Sequence, residues 1–235
     1  MKAAVMQPYF FPYLGYFSLI KHTDRFVLLD TVQFYRGWLA RNRILKPGDG
    51  WQYIVVPLSA HSRNARISDL KISYHDNWMQ KILAQLQHYK KLAPYFDDVL
   101  ALVRHVFSVK HESLTTLNQA AMNAVLEYLC IERKIEILSE MKLDVKPHNS
   151  ADECCLRVCE ALGNVSEYWN PPGGKHFYDK GKYFDQGITL RFHEVILSPY
   201  SQRRETFEPG LSILDVLMFN SVNDVNNMLD SFTLS

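Results

Sequence analysis

The sequence lacks any long apolar run, since nowhere do about 18 or more apolar residues follow one another without a break. The N-terminus carries one early lysine and then becomes aromatic and proline-rich, which is unlike a secretory signal peptide. These features predict a cytoplasmic protein with no signal peptide and no stable membrane insertion.

Excess charge of either sign is also missing, because the formal net charge is +1 over 235 residues. No global field would therefore attract nucleic acid, and any anion site must be local. Hydrophobic residues make up 47% of the chain and charged residues 22%, a balance typical of a folded globular protein.

Cysteine is sparse, and its spacing fits neither a disulfide framework nor a CxxC pair. Cys154, Cys155 and Cys159 fall within one predicted helix, where thiols usually serve as small buried apolar groups. Histidines and carboxylates nowhere alternate at metal-ligand spacing, so no metal site is predicted.

The chain begins with a strand, a helix and a strand, predicted from "KAAVMQ", "YLGYFSLIKHT" and "DRFVLLDTVQF". Such a unit of about 30 residues is a βαβ motif. It predicts an α/β fold with a Rossmann-like parallel sheet. "GWQYIVVPLS" and "ISDLKIS" predict further strands, as do "KIEILSEM" and "GITLRFHEVI", whereas "EYWNPPGGKHFYD" is predicted as a loop.

Apolar residues recur at helical intervals through residues 76–131, and again in "SADECCLRVCEALG" and "SILDVLMFNSVNDVNNML". We therefore expect three parts. Residues 1–73 form an N-terminal ligand-binding half, residues 74–133 a helical insert or subdomain, and residues 134–235 a C-terminal half of the same globule. The middle helices would serve as a lid or as a surface for homo-oligomer formation.

The first candidate site is the turn "QPYFFPYLGY" between the first strand and the first helix. Unpaired N–H groups at a helix N-terminus attract anions, and a glycine permits close approach of a ligand. Phenylalanines here are predicted core residues, whereas the polar and small residues are candidates for ligand contact: Gln7, Tyr9, Tyr13, Gly15 and Tyr16.

This turn resembles the strand-to-helix turn of nucleotidyltransferase-like enzymes. In those enzymes two histidines contact nucleotide phosphates, and Tyr13 and Tyr16 stand at the corresponding positions. Hydroxyl donation would therefore have to replace cationic contact.

The second candidate site comes after the second strand, in "DTVQFYRGWLARNRIL". Three arginines within eight residues form a local anion site suited to phosphate or carboxylate, and a tryptophan offers a face for a base or sugar. A solvated charge run is the alternative. The candidates are Asp30, Gln33, Arg36, Trp38, Arg41, Asn42 and Arg43.

The third candidate site is the segment "NPPGGKHFYD". Gly173 and Gly174 permit close backbone approach, Lys175 would meet an anion, and Tyr178 adds a hydroxyl group. The spacing is not that of a P-loop. A tight turn alone would also explain the glycines, and His193, on the next strand, is a candidate base.

Taken together, "MQPYFFPYLGYFSLI", "DTVQFYRGWLARNRI", "NPPGGKHFYD", "GITLRF", "SPYSQ" and "FEPGLSILDVLMFN" resemble the WbqC-like family over almost the whole chain. The resemblance implies a cytoplasmic enzyme of bacterial O-antigen or other surface-glycan biosynthesis, acting on a nucleotide-linked sugar or a sugar-modifying acyl group. Two positions depart from the family pattern: Thr31 stands where a second acidic residue is common, and the glycine loop opens with Asn170, Pro171 and Pro172.

The first functional hypothesis is N-acyl or aminoacyl transfer to the amino group of a nucleotide-linked amino sugar. Arg36, Arg41 and Arg43 would bind the diphosphate, and Trp38 or Tyr9 the ring. Asp30 or His193 would be the base, and Gln7 or Asn42 would stabilise the oxyanion. The acyl donor would be a coenzyme A thioester, a carrier protein or an ATP-activated acid.

Two alternatives stay open. One is an ATP-dependent ligase that activates a carboxylate, with the first turn holding the nucleotide phosphates. The other is a non-catalytic partner in glycan assembly, in which exposed aromatic residues form a protein interface.

Overall fold

A computed structural model describes residues 1–35 and 37–235, so the predicted binding residue Arg36 lies outside the described residues. The fold is α/β, with a mostly parallel sheet flanked by helices, and the predicted fold class is confirmed. Among the described residues, no helix is both long and apolar enough to cross a membrane.

Two sheets are present within the described part of the chain. The strands are β1 (Lys2–Met6), β2 (Arg25–Leu28), β3 (Arg41–Leu45), β4 (Trp51–Val55), β5 (Ile135–Ile137), β6 (Glu167–Asn170), β7 (Thr189–Val195) and β8 (Phe232–Leu234). The main sheet has the order β5-β2-β1-β6-β7-β8, parallel except for β8, which runs antiparallel to β7. Strands β3 and β4 form a separate antiparallel hairpin.

The helices described are α1 (Leu14–His22), α2 (Trp78–Leu86), α3 (Phe96–Ser108), α4 (Leu114–Tyr128), α5 (Ala151–Leu162), α6 (Lys180–Phe184), α7 (Ile213–Phe219) and α8 (Val222–Leu229). Local chemistry sets their ends. The Ser113 side chain accepts a hydrogen bond from the Thr116 N–H at the start of α4. Gly163, with φ +67°, ends α5 in the left-handed region that glycine adopts without strain.

Apolar side chains are buried on both faces of the main sheet, as expected for parallel strands covered by helices. In β1, Ala4 packs with α1 and the middle helices, whereas Ala3 and Val5 pack against α5 on the opposite face. The larger core joins residues from all three predicted parts of the chain, including Phe17, Ile82 and Leu214. The division of the chain at residues 73 and 133 stays a prediction.

Three local predictions were wrong. "ISDLKIS" forms a 3₁₀ turn at Ile67–Asp69 with isolated bridges rather than a strand. The Arg-rich segment at Arg41–Leu45, not predicted as a strand, is β3, because its apolar residues face the core and its arginines face outward. Residues Glu167–Asn170, predicted as loop, are the strand β6 beside β1, and the Pro-Gly signal belongs only to the segment after Asn170.

Candidate functional site

A cavity of about 750 Å³ opens at the carboxyl ends of β1, β2 and β6. From β1 the chain passes through α1 to β2 on one side, and from β6 it passes through α6 to β7 on the other. The cavity therefore lies where the strand order reverses, which is the usual place for ligands in open α/β sheets.

The floor of the cavity is built by residues at the strand ends. Val5, Met6 and Gln7 come from β1 and the residue after it, and Asn170 and Pro171 come from β6 and the residue after it. The segment after β2 adds Leu29, Thr31, Val32 and Gln33. Amide and hydroxyl groups therefore meet at one edge of the sheet, because parallel strands end together.

Aromatic residues line the walls and mouth. Tyr16 and Tyr178 are mostly buried, whereas Trp38 is 40% exposed and Tyr35 71% exposed. Phe177 lies on the loop after β6. These rings offer apolar faces that can pack against a sugar or a base.

The N-terminal end of α5 forms another wall. His148 precedes the helix, Ala151 is its first residue, and Cys154 and Cys155 lie in its first turns. The first N–H groups of a helix have no partner inside it and carry partial positive charge. A carbonyl or hydroxyl oxygen in the cavity would be favoured on this side.

Hydrogen bonds hold the turn "QPYFFPYLGY", residues 7–16, beside the cavity. The Tyr16 hydroxyl donates to the Gln7 carbonyl at 3.2 Å, and the Tyr9 hydroxyl donates to Asn42 Oδ1 at 3.1 Å. Asn42, 2% exposed, donates through Nδ2 to the carbonyls of Phe10 and Phe11. Phe11 has φ +40°, so these bonds hold a conformation that a non-glycine residue rarely adopts.

A polar network crosses the wall between α5 and β6. The Tyr178 hydroxyl donates to Cys155 Sγ at 3.2 Å and lies 3.3 Å from the Tyr168 hydroxyl. Tyr168, fully buried, lies 3.2 Å from Asn170 Oδ1 and 3.3 Å from the Val5 carbonyl. The network fixes the side chain of Asn170 at the edge of the cavity.

The cavity has little charge of its own. Burial raises the pKa of Cys154 to about 12, with Cys155 adding to the shift, so this thiol is protonated at neutral pH. Burial also raises the pKa of Tyr16 and of Tyr178. Among the described lining residues none is an acid, a lysine or an arginine. A ligand would therefore be recognised by neutral hydrogen bonds and aromatic contacts.

The structure brings seven of the predicted site residues together on this cavity: Gln7, Tyr16, Gln33, Trp38, Gly173, Gly174 and Tyr178. They come from all three predicted sites, so the candidate turns and loops converge in space. Gln33 also donates to the Arg63 carbonyl at 3.0 Å, which fixes its orientation.

Two predicted bases lie elsewhere. Asp30 is buried and accepts hydrogen bonds from the backbone N–H and the hydroxyl of Ser139, which join the ends of β2 and β5. His193 is 2% exposed, and its Nε2 lies 3.0 Å from Ser18 Oγ. Because the Ser18 hydroxyl donates to the Leu229 carbonyl, His193 Nε2 must carry the proton that reaches Ser18. Both side chains are engaged in buried hydrogen bonds within the fold.

Other predicted binding residues also lie outside the cavity lining. Arg41 stacks over Tyr53, and Arg43 donates to the Gly210 carbonyl. Lys175 Nζ lies 4.0 Å from a Glu194 oxygen. Tyr9, Tyr13 and Asn42 build the turn behind the cavity. Gly15 lies under the Tyr13 ring, whose atoms would be 2.5 Å from a Cβ added at Gly15.

Several lining residues were not predicted: Thr31, Tyr35, His148, Ala151, Asn170 and Phe177. Cys154 and Cys155 were predicted only as buried apolar groups, yet both also border the cavity. The position of α5 directly before the strand β6 is the signal that could have found His148, Ala151 and Asn170. The prediction of β6 as a loop hides that signal.

No group of three or more potential metal ligands occurs among the described residues.

Comparisons with known proteins extend over nearly the whole chain. A model of the WbqC-like protein family matches residues 7–227. The chain is also similar to an uncharacterized protein of Mycobacterium tuberculosis, Rv1507c, with 29% identity over 223 residues that cover 93% of each chain. No solved structure matches it significantly. The matched range includes Gln7, the ends of β2 and β6 and the glycine loop that line the cavity.

Proposed function

Because the chain belongs to the WbqC-like protein family, we propose that it is a cytoplasmic enzyme of bacterial surface-glycan biosynthesis. The proposed reaction is N-acyl or aminoacyl transfer to the amino group of a nucleotide-linked amino sugar. The four cysteines are free thiols, which agrees with a reducing compartment.

One observation carries the proposal. The cavity at the strand-order reversal has a volume of about 750 Å³ and combines neutral amides with exposed aromatic faces. A sugar presents hydroxyl groups at its edges and C–H groups on its faces, so it matches amide donors and acceptors together with rings such as Trp38. The absence of fixed charge from the described lining fits a pyranose ring better than a free phosphate.

The reaction joins an amine to an acyl group carried as a thioester. The amine nitrogen attacks the carbonyl carbon, the C–N bond forms, and the C–S bond breaks as the thiolate leaves. The nitrogen must lose a proton, and His148, at the cavity beside α5, is the proposed acceptor. The Gln7 amide would donate to the oxyanion.

His148 replaces Asp30 and His193 in the proposed role of base, since both of those side chains are buried and hydrogen-bonded outside the cavity lining.

The test is a reaction of purified protein with nucleotide-linked amino sugars and acyl coenzyme A thioesters, with mass spectrometry of the acylated sugar as the readout. We expect Gln7→Ala to lower kcat about 100-fold, a value typical for loss of one oxyanion donor. Gln80→Ala, an equal truncation on the surface of α2, serves as the matched control and should leave kcat unchanged.

Further reactions separate the alternatives. Product formed only with a free carboxylic acid and ATP would support the ligase instead. Absence of product and of ligand binding with every donor would support the non-catalytic partner. Equal losses of activity in Gln7→Ala and Gln80→Ala would contradict the assignment of the cavity as the active site.

A further inference from the structure

The outward face of the β3–β4 hairpin carries arginines and aromatic rings that core packing does not require. In the strand pairing Arg41 lies opposite Val55, and Arg43 lies opposite Tyr53. Trp51 and Tyr53 are each 37% exposed, whereas Asn42 and Ile54 face the interior. One face of the hairpin is therefore apolar core, and the other is a basic and aromatic surface.

Aromatic rings hold the two guanidinium groups in place. Arg41 lies over the Tyr53 ring at 4.3 Å from its centre, and Arg43 over the Trp51 ring at 5.2 Å. Arg43 donates one further bond to the Gly210 carbonyl at 3.1 Å. Such stacking uses the flat face of a guanidinium and leaves most of its N–H edge free.

The charge of these arginines is not neutralised nearby. In the part of the chain that the structure describes, neither Arg41 nor Arg43 forms an ion pair with a carboxylate. Two guanidinium groups on the same strand face place charge-assisted donors side by side, an arrangement suited to the oxygens of a diphosphate. In a protein of net charge +1, this surface is a local concentration of positive charge.

The surface adjoins the cavity through a chain of contacts. Trp38 lines the cavity and packs edge-on against Tyr9, with ring centres 4.9 Å apart. The Arg41 backbone N–H donates to the Trp38 carbonyl at 3.2 Å, and an Arg41 guanidinium nitrogen lies 3.4 Å from where a Cβ on Gly37 would stand. Burial raises the pKa of Tyr9, and the nearby positive charges of Arg43 and Arg41 offset part of that rise.

We propose that Arg41 and Arg43 bind the diphosphate of a nucleotide whose attached group enters the cavity past Trp38. The inference rests on the proposed function, because it assigns a second half to the same substrate. The sugar would occupy the neutral cavity, and the charged linker would lie on the hairpin. This division explains why the described lining of the cavity carries no lysine or arginine.

The experiment measures binding of nucleoside diphosphates by isothermal titration calorimetry, with UDP, ADP, ATP and inorganic pyrophosphate as probes. The main variant is Arg41→Gln/Arg43→Gln. Arg104→Gln, on the exposed side of α3, removes one positive charge far from the hairpin and is the control.

We expect the double variant to bind UDP at least about tenfold more weakly, because each guanidinium contributes charge-assisted hydrogen bonds. Arg104→Gln should bind UDP as the parent does. Parent affinity should fall as salt is raised, and the loss should be smaller in the double variant. A preference for UDP over ATP would favour a sugar nucleotide, and the reverse would favour ATP as the source of the diphosphate.

Loss of the cation–π pairs could also loosen the hairpin, so melting temperatures are measured in parallel. Arg41→Lys/Arg43→Lys keeps both positive charges but loses the planar guanidinium groups. Intermediate UDP binding with an unchanged melting temperature would support the assignment. UDP binding that is equal in the parent and the double glutamine variant would overturn it and leave acyl transfer intact. No nucleotide binding by the parent would also overturn it. Arginine-dependent binding without acyl transfer would keep this inference and reject the proposed reaction.

Discussion

At the scale of single residues, the cavity wall depends on a glycine with no space for a side chain. A Cβ on Gly174 would stand 2.4 Å from Asn170 Nδ2 and 2.7 Å from the Tyr178 ring. A Cβ on the neighbouring Gly173 would meet no atom within 4 Å. Both glycines line the cavity, and neither has a positive φ. The two positions therefore form a matched pair.

We expect Gly174→Ala to destabilise the protein by about 1–3 kcal/mol, because an added methyl group forces Asn170 and the Tyr178 ring to move. It should also weaken ligand binding, since both of those side chains border the cavity. Urea unfolding and thermal-shift titration measure the two effects. Gly173→Ala should change stability by less than about 0.5 kcal/mol. Similar effects from both alanines would show that the crowding at Gly174 is unimportant.

Residue chemistry could be predicted from the sequence better than residue orientation. Gln7 and Trp38 were predicted as ligand contacts, and both line the cavity. Asn42 and His193 have equally suitable side chains, but the fold uses them for internal hydrogen bonds with Phe10 and Ser18. Which way a polar side chain points depends on partners distant in sequence, so local patterns do not reveal it.

At the scale of elements, the buried carboxylate of Asp215 joins segments that meet far from the cavity. It accepts hydrogen bonds from Tyr89 at 2.6 Å, from Tyr200 at 2.5 Å and from Gln202 at 3.0 Å. Tyr89 also accepts the backbone N–H of Leu45 in β3. Burial raises the pKa of Asp215, and these three donors offset part of the rise.

Asp215→Asn should cost about 2–3 kcal/mol of stability, because an amide NH₂ would face a hydroxyl proton that has lost its acceptor. The free energy of unfolding in urea measures this cost. Asp144→Asn, at an exposed loop position, is the control and should be nearly neutral. If both variants unfold at the same urea concentration, the hydrogen bonds of Asp215 do not stabilise the packing of α7 against β3 and against the loop that precedes α7.

The sequence predicted the class of the fold because the βαβ opening and the middle helices have clear periods. It did not reveal β6, whose residues precede two prolines and two glycines. It also did not reveal β3, because the arginines of this strand obscure the alternation of buried and outward-facing residues. Both strands take their stability from neighbours: β6 from β1 and β7, and β3 from β4. Pairing over such distances leaves little trace in a local window.

At the scale of the whole molecule, His193 links folding stability to pH. Burial lowers its pKa to about 4, and His22 contributes to the shift. The ordinary histidine pKa in an unfolded chain is about 6.5. The native protein therefore binds this proton more weakly than the unfolded chain does. Its contribution to stability is complete above about pH 6.5 and is lost as the pH falls toward 4.

A shift of about 2.5 pKa units corresponds to about 3 kcal/mol of stability lost over this interval. We expect urea unfolding between pH 7 and pH 4 to show the loss in the parent and a smaller loss in His193→Phe. The comparison of slopes isolates His193, because the carboxylates of Asp152 and Glu153 with lowered pKa values titrate equally in both proteins. Parallel slopes would mean that His193 does not titrate differently on unfolding.

The pairing of β1 with β6 joins Lys2 to Glu167 and Ala3 to Tyr168. Contacts between residues so distant in sequence close late and slow the folding of a chain. During synthesis β1 cannot pair with β6 until most of the polypeptide has left the ribosome. The cavity cannot exist before that moment, since its floor takes Gln7 from one strand end and Asn170 from the other. Acquisition of ligand affinity would thus report that this long-range closure has taken place.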